Sequence, residues 1–222
     1  MSSASPPGRP DLSVFAYGSL LNPDSLRRTL PAGLAGEVTP AILSGYRRGF
    51  TVAFPNDGSQ SDKAYFDIRG RRPSVVLFAD IVPCRDAEST TSTKVPAADV
   101  NGVLIPVRDA DLARLRARER RYRIVEVTHL IRPWPDYTGG ARRVIAFVGK
   151  PEFRGDRGVV PEEYLRTIET GVDHWEARCP GFAVAYHAST QKPPLGGVVD
   201  LQRVDLPQSS PAPSGRTDAR VR

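Results

Sequence analysis

The sequence predicts a mixed α+β domain, a small mixed β-barrel with flanking helices. Three observations lead there. Apolar strand patterns are short and numerous, helical periods are few, and the two do not alternate strictly. No linker-like stretch divides residues 12–206 of the 222-residue chain. With 40% hydrophobic residues, among them eight Phe and seven Tyr, the chain can fill one sizeable core.

The first element is a short buried-strand pattern, Ser13-Val14-Phe15-Ala16-Tyr17, running into Gly18-Ser19. Asn22 then reads as a helix cap, with Pro23 in the first turn where its missing N–H costs nothing. Strands are expected near 41–46, 50–54, 74–82 and 100–107. The stretch 85–98 is polar and turn-rich and reads as a long mobile loop bordering any pocket. Asp109 is expected to cap a helix reaching about Arg120. A long strand pattern covers 122–134, and a turn at Gly139-Gly140 would return it to a hairpin partner at 142–148. Pro161 opens a last helix, whose Tyr164, Leu165, Ile168, Val172 and Trp175 keep a helical period. The ends, 1–11 and 207–222, are rich in Pro, Ser and Arg and are expected to be disordered.

Several function classes fit poorly. The formal net charge is +6, almost wholly from arginine. Those arginines are scattered, with pairs at 27–28, 47–48, 71–72 and 142–143, and no basic run is interleaved with aromatics, so no nucleic-acid partner is expected. No apolar run nears the ~20 residues of a membrane span, so no membrane partner is expected either. The polar N-terminus lacks the order of a signal peptide, which makes a cytoplasmic protein the expectation. Cys84 and Cys179 form no CxxC, and His129, His174 and His187 have no ligand-like spacing, so no metal site is expected. The oligomeric state is not legible.

Chemistry concentrates at two places. On a helix continued to its end, Leu112, Leu115, Glu119 and Tyr122 share one face, which sets a carboxylate on a core-facing stripe. Burial raises a carboxyl pKa and neighbouring arginines lower it, a balance that suits a proton shuttle. A Glu that ends an apolar stripe and merely pairs with arginine fits the same spacing. The second place is the turn Tyr17-Gly18-Ser19-Leu20. Backbone N–H groups leading into a helix can hold a carboxylate or an oxyanion, and Gly18 permits close approach. Ser19 lacks a G-x-S-x-G elbow and reads as a hydrogen-bonding hydroxyl rather than a nucleophile.

These two segments carry a resemblance. Val14-Phe15-Ala16-Tyr17-Gly18-Ser19-Leu20 resembles the opening YGSL signature of the γ-glutamylcyclotransferase superfamily. Asn101-Gly102-Val103-Leu104-Ile105-Pro106-Val107 is similar to its central strand. The run from Leu115 to Arg123, with Glu119 and Tyr122, resembles its acid-bearing helix end, in a form similar to the glutathione-specific branch. The run from Pro161 to Gly171 is similar to its last helix. The resemblance covers about 12–176 in the expected order, and departs at Arg116, where many relatives carry Asp.

The resemblance implies a γ-glutamylcyclotransferase-like fold and an intramolecular reaction without metal or cofactor. The α-amine of a γ-glutamyl group attacks its own γ-carbonyl, 5-oxoproline closes, and an amine leaves. It implies Glu119 as catalytic acid–base. Tyr17, Gly18, Ser19 and Leu20 would bind substrate, and Tyr122 would orient the acid or close the pocket. The expected partner is a small γ-glutamyl amine, peptide or amide. Two alternatives stay open: a non-catalytic small-molecule-binding module on the same fold, and a basic protein associated with nucleic acid.

Overall fold

The computed structural model describes residues 11–60, 63–84, 99–137, 143–194 and 196–206. The chain opens with β1 (Leu12–Ala16), a 3₁₀ turn (Ser19–Leu21) and α1 (Pro23–Thr29). Next come β2 (Thr39–Leu43), β3 (Tyr46–Pro55), β4 (Lys63–Asp67), β5 (Val75–Pro83) and β6 (Val100–Pro106). Then follow α2 (Asp109–Arg118), β7 (Tyr122–Glu126), β8 (Ile131–Pro133) and β9 (Arg143–Gly149). The last elements are β10 (Val160–Pro161), α3 (Glu162–Glu176), α4 (Phe182–Ala188), β11 (Val198–Val199) and β12 (Leu201–Asp205).

Six strands form one mixed sheet in the order β7-β9-β1-β6-β2-β8. β1 lies inside it, antiparallel to β6 and parallel to β9. That position explains its unbroken apolar run, because Val14, Phe15 and Ala16 are all buried. β7 and β8 are the two edges, yet only four residues separate them in sequence. In a flat six-stranded sheet the edges lie about 24 Å apart. The chain from Glu126 to Ile131 reaches at most about 18 Å. The sheet therefore curls toward a barrel, although no ladder among the described residues joins β7 to β8. Three further pairs, β3–β5, β4–β12 and β10–β11, pack around it.

Local chemistry sets the element ends that matter here. The Asn22 side chain accepts from the N–H groups of Asp24 and Ser25 at 2.9 and 3.0 Å, and so starts α1. α2 differs from expectation. Its cap is Arg108, whose N–H donates to Asp111 at 3.1 Å, and it ends at Arg118 rather than Arg120. Glu119 is the C-cap and Tyr122 already begins β7, so the shared helical face for Leu112, Leu115, Glu119 and Tyr122 does not exist as such. A tight turn takes over, with Tyr122 N–H on the Glu119 carbonyl at 2.9 Å.

The long strand expected over 122–134 is also broken. Residues 122–126 pair with β9, as a hairpin requires, but the Thr128 hydroxyl then takes the Val144 N–H at 2.9 Å. A 3₁₀ turn at Thr128–Leu130 carries the chain across to β2. α3 is not the last helix, since α4 follows it. α3 buries Ile168, Gly171, Val172 and Trp175, and Trp175 Nε1 donates to the Leu21 carbonyl at 3.2 Å. The expectations for the 85–98 loop, the Gly139-Gly140 turn and both tails beyond 11–206 lie outside the described residues.

Candidate active site

A cavity of about 550 Å³ opens at the carboxyl end of β1. Its volume suits a small-molecule site. Tyr17, Gly18, Ser19, Leu20, Glu119 and Tyr122 all line it. Residues about a hundred positions apart in sequence therefore meet because β1 and the α2–β7 turn end on the same side of the curled sheet.

The Glu119 side chain is 18% exposed. Burial pushes its carboxyl above the usual glutamate value, against the opposing pull of Arg118 and then Lys63. Arg118 is the connecting group. Its Nε lies 2.9 Å from Glu119 Oε1, its Nη2 donates to Ser19 Oγ at 2.9 Å, and its Nη1 bonds Thr29 Oγ1. One guanidinium thus ties the acid to the Ser19 turn and to the end of α1. Periodicity missed Arg118, because it lies off the apolar stripe and reads as a solvated charge.

In the 3₁₀ turn, Leu21 N–H bonds the Gly18 carbonyl at 2.9 Å. The N–H groups of Ser19 and Leu20 find no acceptor among the described residues. Gly18 has a negative φ, so its conformation alone does not demand glycine. Its smallness supplies room, because a Cβ there would sit 3.3 Å from Ala79 Cβ and 3.5 Å from Tyr164 Oη. Among the described residues the side-chain partner of Ser19 Oγ is Arg118. Arg118 cannot take a proton, and none of the three histidines lines the cavity.

The wall behind the acid is phenolic. Tyr17 Oη donates to the Phe147 carbonyl at 2.5 Å, and Tyr122 Oη donates to the Ala79 carbonyl at 2.8 Å. Tyr164 Oη accepts from the Ala79 N–H at 3.2 Å. The Ala79 groups need these partners because the β3–β5 ladder is irregular between Phe50 and Val52. Burial pushes all three phenols well up, so they stay protonated. Tyr122 is part of that wall, its phenol bonded to Ala79 and its N–H to the Glu119 carbonyl at 2.9 Å. Tyr164 and Thr167 of α3 complete that side, and the helical period of α3 marks Tyr164 only as a core position. No cluster of three or more metal-ligating side chains occurs among the described residues. No helix there is long and apolar enough to cross a membrane.

No family model matches the sequence, and a search of curated proteins returns no match. Solved structures do match. A γ-glutamyl cyclotransferase superposes with a TM-score of 0.52 at 15% identity, over 84% of this chain and 92% of that one. An uncharacterized protein from Homo sapiens superposes with a TM-score of 0.51 at 16% identity, over 80% and 86%. YkqA from Bacillus subtilis matches at 17% identity with a TM-score of 0.49, over 75% of this chain, which spans about half (49%) of that longer protein. The chain has the γ-glutamyl cyclotransferase fold. At these identities the likeness concerns the fold, and function has to be argued from the site.

Proposed function

We propose that this chain is a γ-glutamylcyclotransferase-type enzyme that cyclises the γ-glutamyl group of a small γ-glutamyl amine, peptide or amide to 5-oxoproline. The observation that carries the reading is the Glu119 carboxylate held on the same cavity as the Ser19 turn, 2.9 Å from the arginine that bonds Ser19. The fold likeness supports the reaction class.

In this reading the cavity folds the glutamyl chain so that its neutral α-amine approaches the γ-carbonyl, which removes much of the entropic cost. The N–C bond forms and the C–N bond to the leaving amine breaks. On becoming the ring N–H, the α-ammonium gives up two protons. The leaving nitrogen gains two on departing as an ammonium, so protons balance overall. Glu119 relays one of them and solvent exchanges the other. The Ser19 and Leu20 N–H groups and the Arg118 charge hold the substrate carboxylate or the developing oxyanion.

The Arg118–Glu119 pair also favours a second reading, a non-catalytic small-molecule-binding module whose acid is locked. Release of 5-oxoproline from a panel of γ-glutamyl compounds separates the two, with wild type compared to Glu119→Gln. A positioned acid–base group contributes about a hundred- to ten-thousand-fold. The Gln variant is expected to lose that much in kcat with little change in KM. Full turnover by Glu119→Gln would remove Glu119 as the base. A panel without any release would favour the binding module.

A further inference from the structure

One flank of the cavity lies outside the curled sheet. β4 and β12 form a two-stranded sheet of their own, with Tyr65 opposite Arg203 and Lys63 opposite Asp205. Lys63 and Tyr65, two residues apart on one strand face, both line the cavity. Tyr65 and Leu201 pack with Phe54 and Val76 in a small cluster apart from the main core. Leu201 is the single buried residue of β12, so that strand adds little apolar area to the hold.

A polar side chain adds the rest. Asn56 follows β3, and its own N–H continues the ladder to β5 by bonding the Ser74 carbonyl at 2.8 Å. Its side chain turns to β4 and pairs with Tyr65 as a neighbouring strand would. Oδ1 accepts the Tyr65 N–H at 2.9 Å, and Nδ2 donates to the Tyr65 carbonyl at 2.8 Å. Nδ2 also donates to the Pro73 carbonyl at 2.8 Å, and Arg72 Nε reaches Oδ1 at 3.3 Å. Asn56 is fully buried with its hydrogen-bonding capacity used, an arrangement that is costly to break.

Lys63 is what this anchor brings to the acid. Its Nζ lies 5.2 Å from the centre of the Phe54 ring and 5.7 Å from that of Phe78, the two rings that also flank Tyr65. Around Glu119, its own segment brings Arg118 and Arg121, while β1, β7 and α3 bring the protonated phenols of Tyr17, Tyr122 and Tyr164. Arg116, Arg120 and Lys150 line a smaller opening that Glu119 also borders. β4 brings Lys63, whose charge favours the ionised acid after that of Arg118. Opposite Lys63 in the ladder, the Asp205 carboxylate is bonded by Arg203.

Resting on the acid–base role proposed for Glu119, we infer that Asn56 is a positioning residue: by pinning Tyr65 it holds Lys63 within electrostatic reach of the acid.

The test is a double-variant cycle on the pKa of Glu119, read from the NMR shift of its carboxyl carbon and assigned by the loss of that signal in Glu119→Gln. Lys63→Gln should raise the pKa in the otherwise wild-type chain, because a cation that favours the carboxylate is gone. An unmoved value overturns the inference. In an Asn56→Ala background most of that Lys63→Gln shift should be lost, since Lys63 no longer stands beside the acid. Any change in the hydration of Glu119 enters both members of that background and cancels. In an Arg48→Met background, destabilised elsewhere, the shift should keep its wild-type size. Equal shifts in the wild-type and Asn56→Ala backgrounds, or loss in the Arg48→Met background as well, would make Asn56 merely structural and overturn the inference. Should Asn56→Ala not fold, Asn56→Asp takes its place, keeping the shape and the accepted bonds while losing the donated ones. 5-Oxoproline release is followed alongside, and the acid limb of kcat/KM should repeat the cycle. If the carboxyl signal shows the coupling but no compound is turned over, or the limb ignores it, the anchoring stands and the catalytic reading of Glu119 falls.

Discussion

Gly171 is where a single methyl group should disturb both stability and the site. It lies in α3 against the 3₁₀ turn that carries Ser19. A Cβ at this position would sit 2.6 Å from Asn22 N, 2.7 Å from the Leu21 carbonyl carbon and 2.9 Å from Leu21 Cβ. The two nearest atoms are backbone, so no rotamer change relieves the contact. Reaching the 3.4 Å of ordinary contact requires helix and turn to part by about 0.8 Å. Two effects then oppose each other in Gly171→Ala. Helix propensity favours Ala by about 1 kcal/mol. Overpacking costs about 1–3 kcal/mol, and against rigid backbone the upper part of that range applies. The net expectation is a loss of about 1–2 kcal/mol, or a fall in Tm of roughly 2–8 °C for a domain of this size. The displaced turn also carries the hydroxyl bonded to Arg118, so kcat should fall about ten- to a hundredfold, as expected for misplacements approaching 1 Å. Urea unfolding and 5-oxoproline release measure the two effects. A variant about 1 kcal/mol more stable, with unchanged turnover, would show that the close α3–turn contact does not exist and refute the reasoning.

Further outcomes are expected. Ser19→Ala should cost far less activity than Glu119→Gln, because the backbone N–H groups remain; the reverse order, with a trappable acyl-enzyme, would make Ser19 a nucleophile. Glu119 must be ionised to accept a proton and its pKa is raised by burial, so the acid limb of kcat/KM should lie above the ordinary glutamate range of about 4.3. Arg118→Gln removes a group that lowers that pKa and should move the limb to still higher pH; an unmoved limb would exclude Glu119 as its source. The same raised pKa gives folding a contribution that is full below the unfolded value and lost as pH rises through the folded one. The Tm of Glu119→Gln relative to wild type should therefore increase from pH 4 to pH 7, and a constant difference would contradict the burial. Arg48 is fully buried, with its guanidinium 3.6 Å from the Tyr186 ring centre and bonded to the carbonyls of Asn101 and Tyr186. Arg48→Met removes both of those hydrogen bonds, while the Tyr186 carbonyl keeps the Thr190 hydroxyl at 2.6 Å, and should cost about 1–3 kcal/mol by urea denaturation.

Much of this protein could be read along the chain because the signals are local. The continuous apolar run of β1, the Asn22 cap with Pro23, and the helical period of 164–175 each depend on neighbours within a few residues. The resemblance at Tyr17–Leu20 and at Glu119 is likewise a matter of short contiguous motifs. Where the reading failed, the deciding contact was distant. Nothing between 122 and 134 announces that Thr128 will take the Val144 N–H and send the chain to the far edge of the sheet. β12 exposes four of its five residues and carries little apolar pattern, so only its partner β4 defines it as a strand. The helical face argued for Glu119 and Tyr122 was not the reason they meet; a turn between two elements brings both to the cavity.

What the sequence by itself determined, then, is the set of elements whose energetics are local: the β1 strand, its Gly18-Ser19 turn, the Asn22-capped start of α1, the helical period of α3, and an acid at 119 after a leucine-bearing helix. Tertiary structure alone decided what surrounds that acid. Arg118 looks like one arginine among many until folding brings Ser19 and Thr29 to its guanidinium. Lys63 and Arg203, 140 positions apart in sequence, become neighbours only through the β4–β12 ladder. Charge and pKa fall off with distance through space, while the sequence records distance along the chain, so the field in the cavity exists only once the sheet has curled.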